Sequence, residues 1–230
     1  MSSQIYKLLK TRHVDLIGAA FKLGQRFDGV QYGPQELRKS GLFEVFQKNN
    51  WTFSDKGDLK IEDISFDTNV DFSKYKHGHL IDNSLAVGNY NKNLYKLVKE
   101  SADKRNFVLT LGGDHSVGLG SILALKASYP SLKVIWVDAH GDINTPECTL
   151  SKFYHGCPLS HITGIANGKD LPGFEWINGK LEFKDLVHIG LRNIDHGEKQ
   201  ILRDYNIKHY CMEEVTYKGI GKVMTEIFEY

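Results

Sequence analysis

Apolar residues recur along the chain at two different spacings. Residues 14–21, 107–111, 132–137 and 186–191 are short, nearly continuous apolar runs. Runs of that length predict strands buried on both faces. Residues 207–212 make a weaker run, and residues 53–59 suit an edge strand. Between the runs the period changes. Leu94, Leu97 and Val98 fall at helical spacing within residues 90–105, and residues 116–128 predict a second helix. Pro34 suits the first turn of a third. Buried strands alternating with helices predict an α/β fold whose parallel sheet is covered on both faces. Residues 145–184, rich in Gly, Pro, Asn and Ser, predict a long functional loop carrying short helices. No repeat or linker interrupts the pattern, so residues 1–230 are expected to form a single domain.

Composition changes this picture little. Lys and Arg total 29 against 28 Asp and Glu, a net charge of +1 over 230 residues. That balance argues against nucleic acid or an acidic membrane as partner, since either requires a basic excess. Cys148, Cys157 and Cys211 are too few and too scattered for a disulfide framework or a cysteine zinc site. Residues 1–12 lack the apolar core of a secretion signal, and no run approaches the length of a membrane span. The expectation is a cytoplasmic protein, in preference to a mitochondrial one.

Chemistry concentrates where the runs end. Ligands of parallel α/β sheets bind at the carboxyl ends of strands. One run ends in Leu111-Gly-Gly-Asp-His-Ser116, which delivers either a ligand pair or a plain helix cap. Another ends in Asp138-Ala-His140-Gly-Asp142-Ile-Asn144. If that stretch stays extended, Asp138, His140 and Asp142 share a face. Carboxylates with imidazole suit Mn²⁺, Fe²⁺ or Zn²⁺, and the oxygen-rich mix favours Mn²⁺. The competing reading is a solvated loop held by an Asx turn.

Taken together, the motifs resemble the ureohydrolase family, and within it the arginases. They are Ile17-Gly-Ala-Ala-Phe21, Gly24-Gln25, Gly33-Pro34 and Gly112-Gly-Asp-His-Ser116. They continue with Val137-Asp-Ala-His-Gly-Asp-Ile-Asn-Thr-Pro146, His155-Gly156 and Gly190-Leu-Arg192. The resemblance implies a three-layer α/β/α fold with a mostly parallel sheet, of the arginase/deacetylase type. It implies hydrolysis of L-arginine to L-ornithine and urea through a hydroxide bridging two Mn²⁺ ions. His115, Asp138, His140 and Asp142 would be metal ligands. Asp142 would also manage the proton passed to the leaving amine, and His155 would act as proton shuttle. Asn144 and Ser151 would bind the substrate carboxylate, and Asp195 and Glu198 the ammonium group. A solvated turn ahead of a helix is the plainer account of those two acids. A homotrimer is implied for the full-length protein.

Departures from the family pattern set further expectations. Gly141 stands where the family usually has Thr. Phe153 stands where an amide would bind the substrate carboxylate, with Lys152 beside it as a source of compensating charge. The family's third metal segment, an Asp-x-Asp, follows the helix expected at residues 219–230. The chain as given is therefore expected to be a fragment lacking its last two, central strands. At most one weakly held metal is expected. The alternatives are a non-catalytic arginase-like protein that binds a ligand or partner, and a sister hydrolase acting on agmatine.

Overall fold

The run at residues 14–21 becomes β1 (His13–Ala19), the middle strand of a three-stranded sheet in the computed structural model. That structure describes residue 9 and residues 11–230, so most of the N-terminal stretch judged against a secretion signal lies outside it. Pro34 opens α1 (Gly33–Leu37) in its first turn, and α2 (Phe43–Lys48) follows closely. β2 (Thr52–Leu59) pairs with β1 in parallel on one side and is the edge strand foreseen. After α3 (Ser84–Asp103), β3 (Phe107–Gly112) pairs with β1 in parallel on the other side.

The second sheet is built the same way. α4 (Gly118–Ser128) leads into β4 (Val134–Val137), and the long loop beyond it contains only α5 (Pro158–Thr163) and isolated 3-10 turns. β5 (Leu186–Leu191) pairs in parallel with β4 and with β6 (Lys208–Cys211). α6 (His196–Asp204), α7 (Met212–Lys218) and α8 (Ile220–Glu229) complete the described chain.

The two sheets run β2-β1-β3 and β4-β5-β6, with no ladder joining β3 to β4. The fold is a three-layer α/β/α arrangement with two small parallel sheets. β5 shows why its sequence is apolar throughout. Leu186 and Leu191 belong to the main core with Leu202 of α6, whereas Val187 and Ile189 pack on Val223 and Ile227 of α8. All six residues are buried. α3 begins at Ser84, six positions before the predicted start, because Val87 and Tyr90 already face the core.

The sheets meet through β4. Trp136 is buried in the core that also holds Ile17 and Ala19 of β1. A Cβ added at Gly118 would lie 3.0 Å from the Trp136 ring, so glycine lets α4 seat closely there. Ile135 and Val137, on the opposite face of β4, are exposed, Val137 by 72%. Among the described residues no helix is long and apolar enough to cross a membrane.

Candidate metal centre

The end of β3 and the end of β4 converge on one cluster. Gly112 and Gly113 turn the chain out of β3 so tightly that a Cβ at Gly113 would meet the Phe21 carbonyl oxygen at 1.9 Å. The following residue, Asp114, is a cap and not a ligand. Its carboxylate accepts hydrogen bonds from the Ser116 amide and, at 2.9 Å, from the Gly24 amide. Burial pushes its pKa up against those bonds from Ser116 and Gly24. His115 then points outward, half exposed.

His115 Nδ1 lies 2.7 Å from Asp142 Oδ2 and 3.0 Å from Asp138 Oδ2. Ligand atoms of these three residues fall within 4.8 Å of one another, the one such group among the described residues. The hydrogen bond to Asp142 raises the His115 pKa above its ordinary value, against the cost of burial. One imidazole and two carboxylates suit a divalent cation of the Mn²⁺ type. Three protein ligands, with His115 open to solvent, suffice for at most one weakly held ion.

The route from Asp138 to Asp142 is not the extended run expected. Asp138 Oδ1 accepts the His140 amide at 2.8 Å, an Asx turn that bends the chain at once. Asp142 takes a left-handed conformation with φ of 48°, which Asp tolerates better than most residues. The turn swings Asp142 back to Asp138 and leaves His140 beside the triad. His140 Nδ1 is 3.2 Å from Asp138 Oδ1, and its Nε2 is 3.2 Å from the Asn193 amide nitrogen.

Sequence reasoning missed the group that fixes this turn. His188, fully buried in the middle of β5, donates from Nε2 to the Gly141 carbonyl at 2.9 Å. Burial lowers its pKa to about 4, so it is neutral and acts only as a tether. Its one signal was a histidine inside an apolar run.

Around the triad, Asn144 donates to Asp195 Oδ2 at 2.9 Å. Asp195 caps α6 by accepting the Glu198 amide, and Glu198 accepts the Asp195 amide in return. This is a capping box, in which Glu198 is buried and Asp195 half-buried. Glu198 also accepts the Ile143 amide at 3.3 Å. Burial first, and the Asp195 charge second, raise the Glu198 pKa to about 7. Glu198 fits there because position 141 is glycine. A Cβ at Gly141 would stand 2.8 Å from Glu198 Oε1.

Ser151 and His155 do not touch the triad residues directly. They line a neighbouring cavity of about 400 Å³ together with Gln25, Arg26, Phe27 and Phe153. Lys152 is not among its lining residues. The loop preceding Gln25 is held on both sides. Gly24 donates to Asp114, and its carbonyl accepts the His155 amide at 2.9 Å.

Known proteins resemble this chain in sequence and fold over most of its length. The rabbit (Oryctolagus cuniculus) Arginase-1 is 42% identical over 223 residues, spanning 96% of this chain and 67% of the relative's own length. The human Arginase-1 shows the same identity and coverage. Among solved structures, the arginase of Bacillus caldovelox superposes with a TM-score of 0.82 at 33% identity, covering 94% of this chain and 70% of its own. The arginase of Entamoeba histolytica, solved in complex with L-ornithine, gives 0.80 at 28% identity, covering 96% and 72%. The family model described as Arginase family matches residues 12–230. With the family model matched over nearly the whole chain and the fold shared, this chain belongs to the arginase family.

Proposed function

We propose that this arginase-family chain binds a guanidino amino acid, L-arginine, beside a single weakly held divalent cation, and that it does so without turnover. The observation that carries this reading is the His115–Asp138–Asp142 triad, which offers ligands for one ion among the described residues. Mn²⁺ is the ion we assign, from the oxygen-rich donor set. His140 is a further ligand candidate, since it already touches Asp138.

The surrounding groups fit such a substrate. Asn144 and Ser151 offer donors to an α-carboxylate, and Asp195 and Glu198 offer acceptors to an α-ammonium group. The Entamoeba relative was solved with L-ornithine, an amino acid of the same shape less the amidine. The three free cysteines agree with a cytoplasmic setting, and a homotrimer is the assembly expected of the family.

A second reading is hydrolysis of L-arginine to L-ornithine and urea, with agmatine as the sister substrate. Retention of His155 beside the site favours it, because an imidazole can both accept and donate a proton. In such a centre, bound divalent ions lower the pKa of water enough to supply a nucleophile. Asp142 would hold the proton bound for the leaving amine, and His155 would exchange it with solvent.

Calorimetric titration with Mn²⁺ and a urea-release assay separate the two readings. Binding without turnover requires one weak Mn²⁺ site, abolished by Asp138→Asn, and no urea. Two tight sites with urea release establish the hydrolytic reading in its place.

A further inference from the structure

Near the candidate site, three cations are paired or lie outside the cavity that holds Ser151 and His155. Lys22 pairs with Asp28. Lys152 lies outside the lining of the cavity that holds Ser151 and His155, although its neighbour Phe153 lines it. Arg192 lines a different cavity, against Asp138, and donates to the Gly190 carbonyl at 3.1 Å. Arg26 is the exception. It lines the Ser151–Phe153–His155 cavity and makes no ion pair with any described residue. Its guanidinium sits 4.8 Å over the Phe27 ring.

The segment carrying Arg26 is fixed relative to the catalytic candidates. The Gly24 amide is bonded to Asp114, next to the metal candidate His115, and the Gly24 carbonyl to the amide of His155. The Gln25 side chain bonds both the amide and the carbonyl of Phe27 at 2.5 Å, bracketing Arg26. Stacking on Phe27 holds the guanidinium ready, which lowers the entropy cost of using it. Two phenylalanines, the exposed Phe27 and the half-buried Phe153, line the cavity beside that guanidinium. An unpaired guanidinium in such a wall selects a carboxylate, which it can grip with two parallel hydrogen bonds.

We propose that Arg26 is the specificity-determining residue for the substrate α-carboxylate in this chain, taking the place of the amide that Phe153 removes. The assignment rests on the guanidino-amino-acid reading of the site and sharpens it. Phe153 shapes an apolar wall, Arg26 supplies the charge, and Ser151 adds a neutral donor. The chain thereby distinguishes L-arginine from agmatine, which shares the guanidinium and lacks the carboxylate.

The test is calorimetric titration of L-arginine and of agmatine into the Mn²⁺-supplemented chain, as wild type, Arg26→Gln and Arg26→Lys. Arg26→Gln is expected to weaken L-arginine by about tenfold or more, the loss typical of a charged hydrogen bond. Agmatine is expected to shift by less than about twofold, the change left when no charged hydrogen bond is lost. Arg26→Lys keeps the charge without the fork and should recover part of the loss. Equal L-arginine binding in wild type and Arg26→Gln overturns the assignment, as does an equal loss for both ligands. A folded wild-type chain that binds neither ligand overturns the guanidino-acid reading itself, and this assignment with it.

Discussion

The two sheets divide the metal triad between them. The β2-β1-β3 sheet contributes His115, and the β4-β5-β6 sheet contributes Asp138 and Asp142. In both, the strand that carries ligands is an edge strand, and the middle strand carries none. They differ in how the middle strand is secured. β1 has Asp15 buried near its start, whereas β5 has His188 buried at its centre. Burial would raise the Asp15 pKa, but hydrogen bonds from Asn106, Ser101 and Lys56 outweigh it and hold the group ionised. His188 is held neutral and bonded to the turn between the ligands. In the first sheet a buried charge fastens strand to neighbours at the end remote from the metal. In the second a buried neutral ring fastens strand to site.

The sharpest way to break this comparison is to remove what joins the sheets. Trp136→Ala empties a large core position and is expected to cost about 3–5 kcal/mol in denaturant unfolding. Mn²⁺ affinity should fall with it, because His115 and the two aspartates would no longer be held in register. Unchanged Mn²⁺ binding in a destabilised variant would mean that the loops, not Trp136, set the triad.

Acid separates the sheets next. His188 has a folded pKa near 4 and a reference value of 6.5, so the unfolded chain binds the extra proton first. Its contribution is complete above pH 6.5 and is lost as pH falls toward 4. His161 of α5, buried and lowered to about 3, adds to the same descent. Asp15 is depressed below 3.8, so its contribution survives to that point and disappears only below it. The first descent should amount to a few kcal/mol, roughly. His188→Gln is expected to flatten it, and Asp15→Asn to flatten only the second. A single descent insensitive to His188→Gln refutes the division.

The smallest effect concerns the free edge. Val137→Thr changes an exposed side chain on β4 and should alter stability by less than about 0.5 kcal/mol. Its consequence should be seen instead in solubility, because open apolar edges pair with other chains. Light scattering at rising concentration measures it, and a loss of stability near that of Trp136→Ala would show Val137 to be packed.

The middle strands β1 and β5 were legible because burial on two faces leaves a continuous apolar run, and the bounds of β5 match the run at residues 186–191. Asp138, Asp142 and His115 were legible because strand ends carry chemistry in such sheets. The turn between the aspartates was not. A period-two reading assumes extended chain, and Asp138 defeats it by capturing the His140 amide. Arg26 was hidden for a different reason. Its relation to His155 runs through the Gly24 carbonyl, a backbone contact that leaves no trace in side-chain pattern. Likewise, Asp195 and Glu198 were readable as acids near a helix start, but their mutual capping and the burial of Glu198 became visible only in space.

The bare Cα at Gly141 also constrains how sequences of this kind can change. The inward carboxylate of Glu198 occupies the room that a side chain at position 141 would need. The two positions are therefore coupled: a side chain at 141 requires the flexible end of Glu198 to give way, so Gly141→Thr should displace that carboxylate from the Ile143 amide.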